Sequence, residues 1–320
     1  MRRSIAVILG IILVIGLLAG CSKKAPGDIG NEVQQDVTAI SDNTDLRPTL
    51  LYYADHNGYS VPVLRNIPWE EGIGKAALLK LKAGGEDDLK LAALGLVPPV
   101  PQDVSFDLDI EGGLATVDIL LNGAELEGEY QEEIMLACIV NTLMEFPTVD
   151  RVQVYIDGLK VDAMEGGARV LEVYSKLVDN TEPEGIEESN PERFARLFFI
   201  SASGAFLVPV RRLLGDELSA AGLVEELRTP SSSTDLVSVI PPNVDVLNVD
   251  VRDGIATVNM SSELTELGTM PERERMLVTA LTNTLLGLDS VDEVAIMVEG
   301  REYEPSVQAS TSQSFYNILD

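Results

Sequence analysis

The same ordered set of short motifs occurs twice in this sequence, and this internal repeat constrains the fold more than any other feature. Five motifs recur at offsets of 141 to 147 residues. They pair Val61–Arg65 with Val208–Arg212, Val97–Pro99 with Ile240–Pro242, Leu114–Asp118 with Ile255–Asn259, Asn141–Leu143 with Asn283–Leu285, and Val149–Val152 with Val291–Val294. Chance is a poor explanation for five matches in the same order, so the chain is predicted to contain two copies of one domain.

The repeat divides the chain into segments with different predicted roles. Copy 1 is predicted to span residues 48–160 and copy 2 residues 193–305. An acidic, proline-containing run ends the segment between them, so residues 161–192 are predicted to be a linker. Residues 306–320 contain several serines and glutamines, and are predicted to form a loose tail.

Each copy has the patterning of a mixed α+β domain. An apolar hairpin is predicted around Asn57-Gly58, and a second hairpin turns at Gly112-Gly113, where copy 2 has Asp253-Gly254. Apolar residues then recur at spacings of three and one, which predicts a single helical stripe. The stripe comprises Met135, Cys138, Ile139, Thr142, Leu143 and Phe146. The predicted order is a hairpin followed by α-β-β-α-β, with helices on one face of a small sheet.

The first twenty residues have the layout of an export signal. Arg2 and Arg3 precede an apolar run from Ile5 to Leu18, which is short for a membrane span. Leu18–Cys21 reads Leu-Ala-Gly-Cys, which resembles a bacterial lipobox. That resemblance implies lipidation of Cys21 and cleavage between Gly20 and Cys21, leaving residues 21–47 as a flexible tether. An ordinary signal peptide cut nearby and an uncleaved signal anchor are the alternatives.

Composition excludes several classes of function. The chain has 23 Lys and Arg against 52 Asp and Glu, a formal charge of −29, so it would repel nucleic-acid backbones. Two cysteines and one histidine exclude a Cys₄ zinc site and a two-histidine metal site within one chain. Cys138 aligns with Ala280, which predicts a small buried core residue. His56 aligns with Ser203 and is predicted to be an exposed turn residue instead of a catalytic base.

Two further patterns approximate known sites but fail in detail. Gly72–Lys75 lacks the earlier glycine and the following Ser or Thr of a phosphate-binding loop. Asp107, Asp109 and Glu111 approximate a calcium loop, but they alternate with apolar residues as in a half-buried strand. The sequence therefore predicts no catalytic, cofactor-binding or metal-ligating residues, and no cofactor.

The duplicated motifs resemble those of the GerMN domain family. The shared features are Val-Pro-Val with a following arginine, Pro-Pro before the central hairpin, Ala-Thr-Val followed by Asp or Asn, Asn-Thr-Leu, and a closing Val-x-Gly in copy 2. The lipobox followed by two such domains is similar to the sporulation and germination lipoproteins of that family. The resemblance implies a fold like the ring-building motif of secretion-system proteins. It also implies an extracytoplasmic, non-catalytic scaffold that joins an envelope protein complex.

Two repeated features leave alternatives open. Val61–Val63 and the residues around Pro209 either pack within the fold or form an exposed assembly edge. Asn141 and Asn283 lie off the apolar stripe and either tie down a neighbouring loop, which we favour, or contact a partner.

Three functional hypotheses follow from the sequence. The first is a lipid-anchored scaffold on the extracytoplasmic face of the cell membrane, with an unidentified envelope complex as partner and homo-oligomers as a possible assembly. The second is a module that binds cell-wall polymer or a small ligand, which requires a cleft or an aromatic cluster. The third, an enzyme, lacks recognisable catalytic residues.

Overall fold

The computed structural model describes residues 46–69, 72–182, 194–214, 218–230, 236–306 and 317–319. These residues belong to one compact unit, Thr44–Asp320. The predicted leader, Gly20, Cys21 and nearly all of the tether lie outside the described residues.

Copy 1 forms a hairpin, two short helices, a second hairpin, a long helix and a closing strand. Its elements are β1 (Leu46–Asp55), β2 (Ser60–Pro68), α1 (Ile73–Leu79), α2 (Asp88–Ala93), β3 (Leu96–Val97), β4 (Ser105–Glu111), β5 (Leu114–Leu120), α3 (Gly128–Met144) and β6 (Arg151–Ile156). A short strand, β7 (Thr181–Glu182), follows in the segment between the copies.

Copy 2 repeats this order with one helix before its second hairpin. Its elements are β8 (Phe194–Ile200), β9 (Leu207–Leu213), α4 (Ala220–Arg228), β10 (Val246–Arg252), β11 (Ile255–Met260), a 3₁₀ helix (Ser262–Thr269), α5 (Pro271–Leu285), β12 (Glu293–Val298) and β13 (Arg301–Glu302). The predicted α+β fold, with a hairpin followed by α-β-β-α-β in each copy, is confirmed.

The central strand of each sheet carries a two-residue alternation that makes one face apolar. Ala115, Val117 and Ile119 of β5 are fully buried. β5 pairs antiparallel with β4 and parallel with β6, and β11 pairs in the same way with β10 and β12. The apolar face of each sheet supports the long helix that connects its last two strands.

The long helix α3 is buried on more sides than a single stripe predicts. The stripe residues within α3 are buried, but α3 also packs against β1 of the first hairpin. Cys138 lies on that second face with Leu50 and Tyr52. Burial raises the pKa of its thiol to about 12, so the prediction of a buried core cysteine is confirmed.

The beginning of the predicted linker packs against copy 1. The main chains of Val152 on β6 and Tyr174 exchange two hydrogen bonds, of 2.9 and 2.8 Å. Val170 and Tyr174 are buried, and these apolar residues provide the packing that a solvated linker lacks. Copy 1 is thereby extended by an irregular segment that runs as far as β7.

Glycine is required where the turn of the second hairpin in each copy meets the residue just before the strand that follows the long helix. Gly254 has φ +81°, and a Cβ there would lie 2.5 Å from Oδ2 of Asp292. The main-chain N–H of Asp292 also donates to Gly254 O at 2.7 Å. Gly300 has φ +74° but no atom within 4 Å of its Cβ position.

We expect Gly254→Ala to lower the free energy of unfolding by about 2 kcal/mol or more, because it adds a steric clash to a left-handed backbone. Gly300→Ala, the matched control, has only the backbone strain and should cost about 1 kcal/mol. Urea unfolding followed by circular dichroism measures both. Equal losses would contradict the predicted clash at Asp292.

Candidate functional site at the junction of the two copies

The Val-Pro-Val strands of the two copies face each other across the centre of the molecule. β2 lies against β9, so the packing alternative predicted for these residues is correct. Pro62 and Pro209 have no N–H to donate. Two asparagine side chains, from Asn180 and Asn317, provide hydrogen bonds between the strands instead.

Asn180 contacts both strands through its side-chain amide. Its Oδ1 accepts a hydrogen bond from the main-chain N–H of Ser60 at 2.8 Å. Its Nδ2 donates to Ser60 O at 2.9 Å and to Pro209 O at 2.7 Å. One side chain therefore binds the main chain of copy 1 and of copy 2.

Asn317 makes the equivalent contacts with the two copies exchanged. Its Oδ1 accepts from the main-chain N–H of Leu207 at 2.8 Å. Its Nδ2 donates to Leu207 O at 2.8 Å and to Pro62 O at 2.7 Å. Ser60 and Leu207 each precede Val-Pro-Val, so the junction has approximate twofold symmetry.

The segments that carry these asparagines also pair with strands of the opposite copy, one as strand β7 and the other through a single β-bridge. β7, which follows copy 1, pairs parallel with β9 of copy 2. Asn317–Leu319, which follow copy 2, bond to Leu64 of β2 through Asn317 O (2.9 Å) and Leu319 N–H (3.1 Å). This reciprocal strand exchange joins the copies, and Asn317–Leu319 are ordered instead of belonging to a loose tail.

Ion pairs hold the exchanged β7 segment against copy 2. Glu182 is 7% exposed and pairs with Arg212 at 2.8 Å, while Tyr59 donates to its other oxygen at 3.0 Å. Asp179 pairs with Arg196 at 2.5 Å. Arg65, the counterpart of Arg212, instead pairs with Asp87 of its own copy at 2.5 Å. Residues 161–192 were predicted to be a linker that ends in an acidic run, and Glu182 of that run and Asp179 just before it both lie at the junction.

A buried glutamate on each long helix anchors the chain beyond the last strand. Glu132 accepts from the main-chain N–H groups of Gly166 at 2.7 Å and Ala168 at 3.1 Å. Glu274 accepts from Ser306 N–H at 3.0 Å and from the hydroxyl of Tyr303. Burial, together with the hydrogen bond to Glu274, raises the pKa of Tyr303. The sequence analysis did not identify Glu132 and Glu274 as equivalent, although the same number of residues separates them as separates the two Asn-Thr-Leu motifs.

The repeated asparagines of the long helices differ in their partners. Asn141 Oδ1 accepts from Val178 N–H at 2.7 Å, and its Nδ2 donates to Val178 O at 2.9 Å. This confirms the structural role that the sequence favoured for Asn141. Asn283 is also buried, but neither of its amide atoms has a hydrogen-bond partner among the described residues.

The residues that resembled catalytic or metal sites lie apart from the junction. His56 is exposed in the turn between β1 and β2, as predicted. Asp107, Asp109 and Glu111 lie on β4, so the strand interpretation of that motif is confirmed. In the described part of the chain no group of three or more potential ligands could hold a metal ion, and no helix is long and apolar enough to cross a membrane.

Comparison with known proteins identifies the duplicated domain. Residues 50–162 and 196–304 both match the family Germane, described as sporulation and spore germination. The chain belongs to the Germane family. Each Germane match contains both hairpins and the long helix of one copy.

Individual relatives of this Germane protein have the same two-copy plan. The chain is 24% identical over 300 residues to the spore germination protein GerM of Bacillus subtilis, covering 88% of this chain and 80% of that protein. Its fold is similar to the tandem GerMN domains of the sporulation protein GerM from Bacillus subtilis. That match has a TM-score of 0.58 and 21% identity, and covers 80% of this chain and 92% of the other.

Replacement of Asn317 by alanine tests the junction. We expect Asn317→Ala to lower the free energy of unfolding by about 2–4 kcal/mol, because buried main-chain groups of both copies lose their partners. Asn243→Ala, at an exposed asparagine with one 3.3 Å side-chain contact, should change it by less than about 0.5 kcal/mol. Urea unfolding provides the comparison, and similar small losses in both variants would contradict the bridging role.

A pH-dependent prediction follows from Glu145, which accepts a hydrogen bond from the Tyr52 hydroxyl at 2.7 Å. Burial raises the pKa of Glu145, so its ionisation disfavours the folded state once the pH exceeds its unfolded pKa of about 4.3. We expect Glu145→Gln to be more stable than wild type at pH 7, with the difference vanishing near pH 3. Exposed Glu293→Gln is the control, and a pH-independent difference for Glu145→Gln would contradict this assignment.

Proposed function

We propose that this chain is a membrane-tethered scaffold on the extracytoplasmic face of the cell membrane, acting through protein–protein contacts in sporulation or spore germination. The observation that carries the proposal is the reciprocal strand exchange, because it joins two Germane copies into a single body that can present surfaces in a fixed arrangement. The process is inferred from the relative, whose name describes a spore germination protein.

The mechanism in this proposal is positional. Lipid on Cys21 would fix the body at the membrane, since acyl chains contribute about 0.8 kcal/mol per buried CH₂ group. The tether of residues 21–47 would set the reach of the body, roughly 25–30 Å for a flexible chain of this length. The strongly acidic surface would repel anionic polymers, which favours a protein complex as the binding partner.

Replacement of the two cysteines separates lipid anchoring from folding. We expect Cys21→Ala to move the protein from the membrane fraction to the soluble fraction, because the acceptor of the lipid is lost. Cys138→Ala is the matched control, since copy 2 already has alanine at that position, and it should remain in the membrane fraction. Cell fractionation and immunoblotting measure both, and membrane retention of Cys21→Ala would refute lipid anchoring.

In-cell crosslinking tests the scaffold role itself. The tagged full-length protein is crosslinked in its host during growth and during starvation, and its partners are identified. Subunits of an envelope complex would support the scaffold, and their enrichment on starvation would support a role in sporulation. Recovery of cell-wall fragments alone would refute it and favour the second candidate function.

That second candidate is the binding of a cell-wall polymer or small ligand, and one cleft in copy 1 favours it. The cleft has a volume of 770 Å³ and lies between α3 and the segment that leads to β7. Tyr59, Tyr130 and Tyr174 are among its lining residues, and Tyr130 is exposed, as stacking on a sugar ring requires. Both acidic residues (Glu129 and Glu133) and basic residues (Arg169 and Lys176) line it, so the cleft offers groups that could bind the hydroxyls of a polar ligand.

A further inference from the structure

The open end of the first hairpin, where β1 begins and β2 ends, carries exposed apolar side chains. β1 and β2 pair in register as far as Leu46 and Pro68, and Trp69 follows directly. Leu46 is 52% and Trp69 51% exposed, and Pro68 is exposed as well. A single apolar side chain on a surface needs no explanation, but three at one strand end, with the only tryptophan of the chain among them, form a patch.

Arg47 fixes the indole ring of Trp69 at this end. The guanidinium carbon of Arg47 lies 4.5 Å from the ring centroid of Trp69, which is a cation–π distance. Arg47 pairs in register with Ile67, which is 1% exposed. The stacked pair is therefore attached to a part of the hairpin that is anchored in the core, although the ring itself stays at the surface.

The predicted tether reaches the folded body at the patch. Leu46 is the first residue of β1, and the tether of residues 21–47 begins at Cys21. In the proposed function this end of the hairpin therefore stays within about 25–30 Å of the membrane, however the body turns. The opposite end, where Ala54 pairs with Ser60, is eight residues further along β1, or roughly 27 Å away.

The residue types of the patch suit the interfacial region of a lipid bilayer. Tryptophan is enriched there because its ring is apolar while its N–H remains hydrated. The stem of Arg47 can lie along apolar surface while its guanidinium remains in water. Glu70 and Glu71 follow Trp69 in the sequence, so the patch suits an uncharged lipid surface better than an anionic one.

We propose that Leu46, Pro68 and Trp69 insert into the interfacial region of the bilayer that holds the lipid on Cys21. So small a patch is sufficient because the tether makes the contact intramolecular, at a high effective concentration of lipid. The first hairpin then stands with its open end on the membrane, and its turn faces away. This inference rests on the proposed membrane-tethered scaffold and assigns an orientation to it.

The fluorescence of the only tryptophan measures this contact directly. The mature lipidated protein is reconstituted into phosphatidylcholine vesicles, with and without bromine on the acyl chains, and the emission of Trp69 is compared. We expect brominated lipid to quench the emission at least about twofold, because an inserted ring lies at the boundary between headgroups and acyl chains. The emission should also lie at shorter wavelength than that of Cys21→Ala in solution.

Two variants test whether the quenching belongs to the patch. A double variant, Trp69→Phe with Tyr130→Trp, carries its tryptophan beside the turn of the hairpin, where the hydroxyl of Tyr130 donates to Asn57 O. That variant should show almost no quenching. Leu46→Asp retains Trp69 but adds a charge to the patch, and it should reduce the quenching by about half or more, because inserting a charge is unfavourable.

Three results would overturn the proposal. The first is quenching of Trp69 no stronger than that of the tryptophan introduced at Tyr130, and the second is equal quenching in wild type and Leu46→Asp. The third is emission of a buried indole from Cys21→Ala in solution, which would mean that other residues of this chain cover Trp69.

Flotation of the reconstituted vesicles reports on the lipid anchor separately. Protein that floats with the vesicles but shows no quenching would refute the contact at Trp69 and leave the scaffold function standing. Protein that does not float would refute the lipid anchor itself, and with it both proposals.

Discussion

The contact between the two copies depends on two prolines that cannot donate a main-chain hydrogen bond. Pro62 and Pro209 stand where two strands meet, and neither has the N–H that a direct ladder of hydrogen bonds would use. Asn180 and Asn317 supply side-chain donors and acceptors in place of the ladder. Because each asparagine sits on a segment that pairs with the other copy, the contact between the copies requires both segments.

The regular part of each copy could be predicted from the sequence because it follows from local periodicity. The alternation of β5, the spacing of apolar residues along α3 and the glycine turns each have a signature within a few residues. The segments that join the two copies have no comparable pattern in the sequence. β7 is two residues long and the Asn317 segment is three, and neither length carries a pattern that distinguishes a strand from a loop.

The polar contacts were also hidden from the sequence, for a different reason. In a chain with 52 acidic residues, nothing marks Glu132, Glu182 or Glu274 as buried. Their positions depend on where the chain returns after the last strand of each copy. The repeat offset singled out the Asn-Thr-Leu motif but could not show that its two asparagines have different surroundings.

The exchange of strands also has a consequence for biosynthesis. Leu64 lies on the second strand of copy 1, and its main-chain partners at the free edge are Asn317 and Leu319, beyond copy 2. Copy 1 can form its hairpin, helix and sheet while the chain is being made, yet this edge stays uncovered until copy 2 and residues 317–319 have emerged. A chain interrupted anywhere before Asn317 would expose an unpaired strand edge, which is a template for aggregation and a mark by which quality control can recognise it.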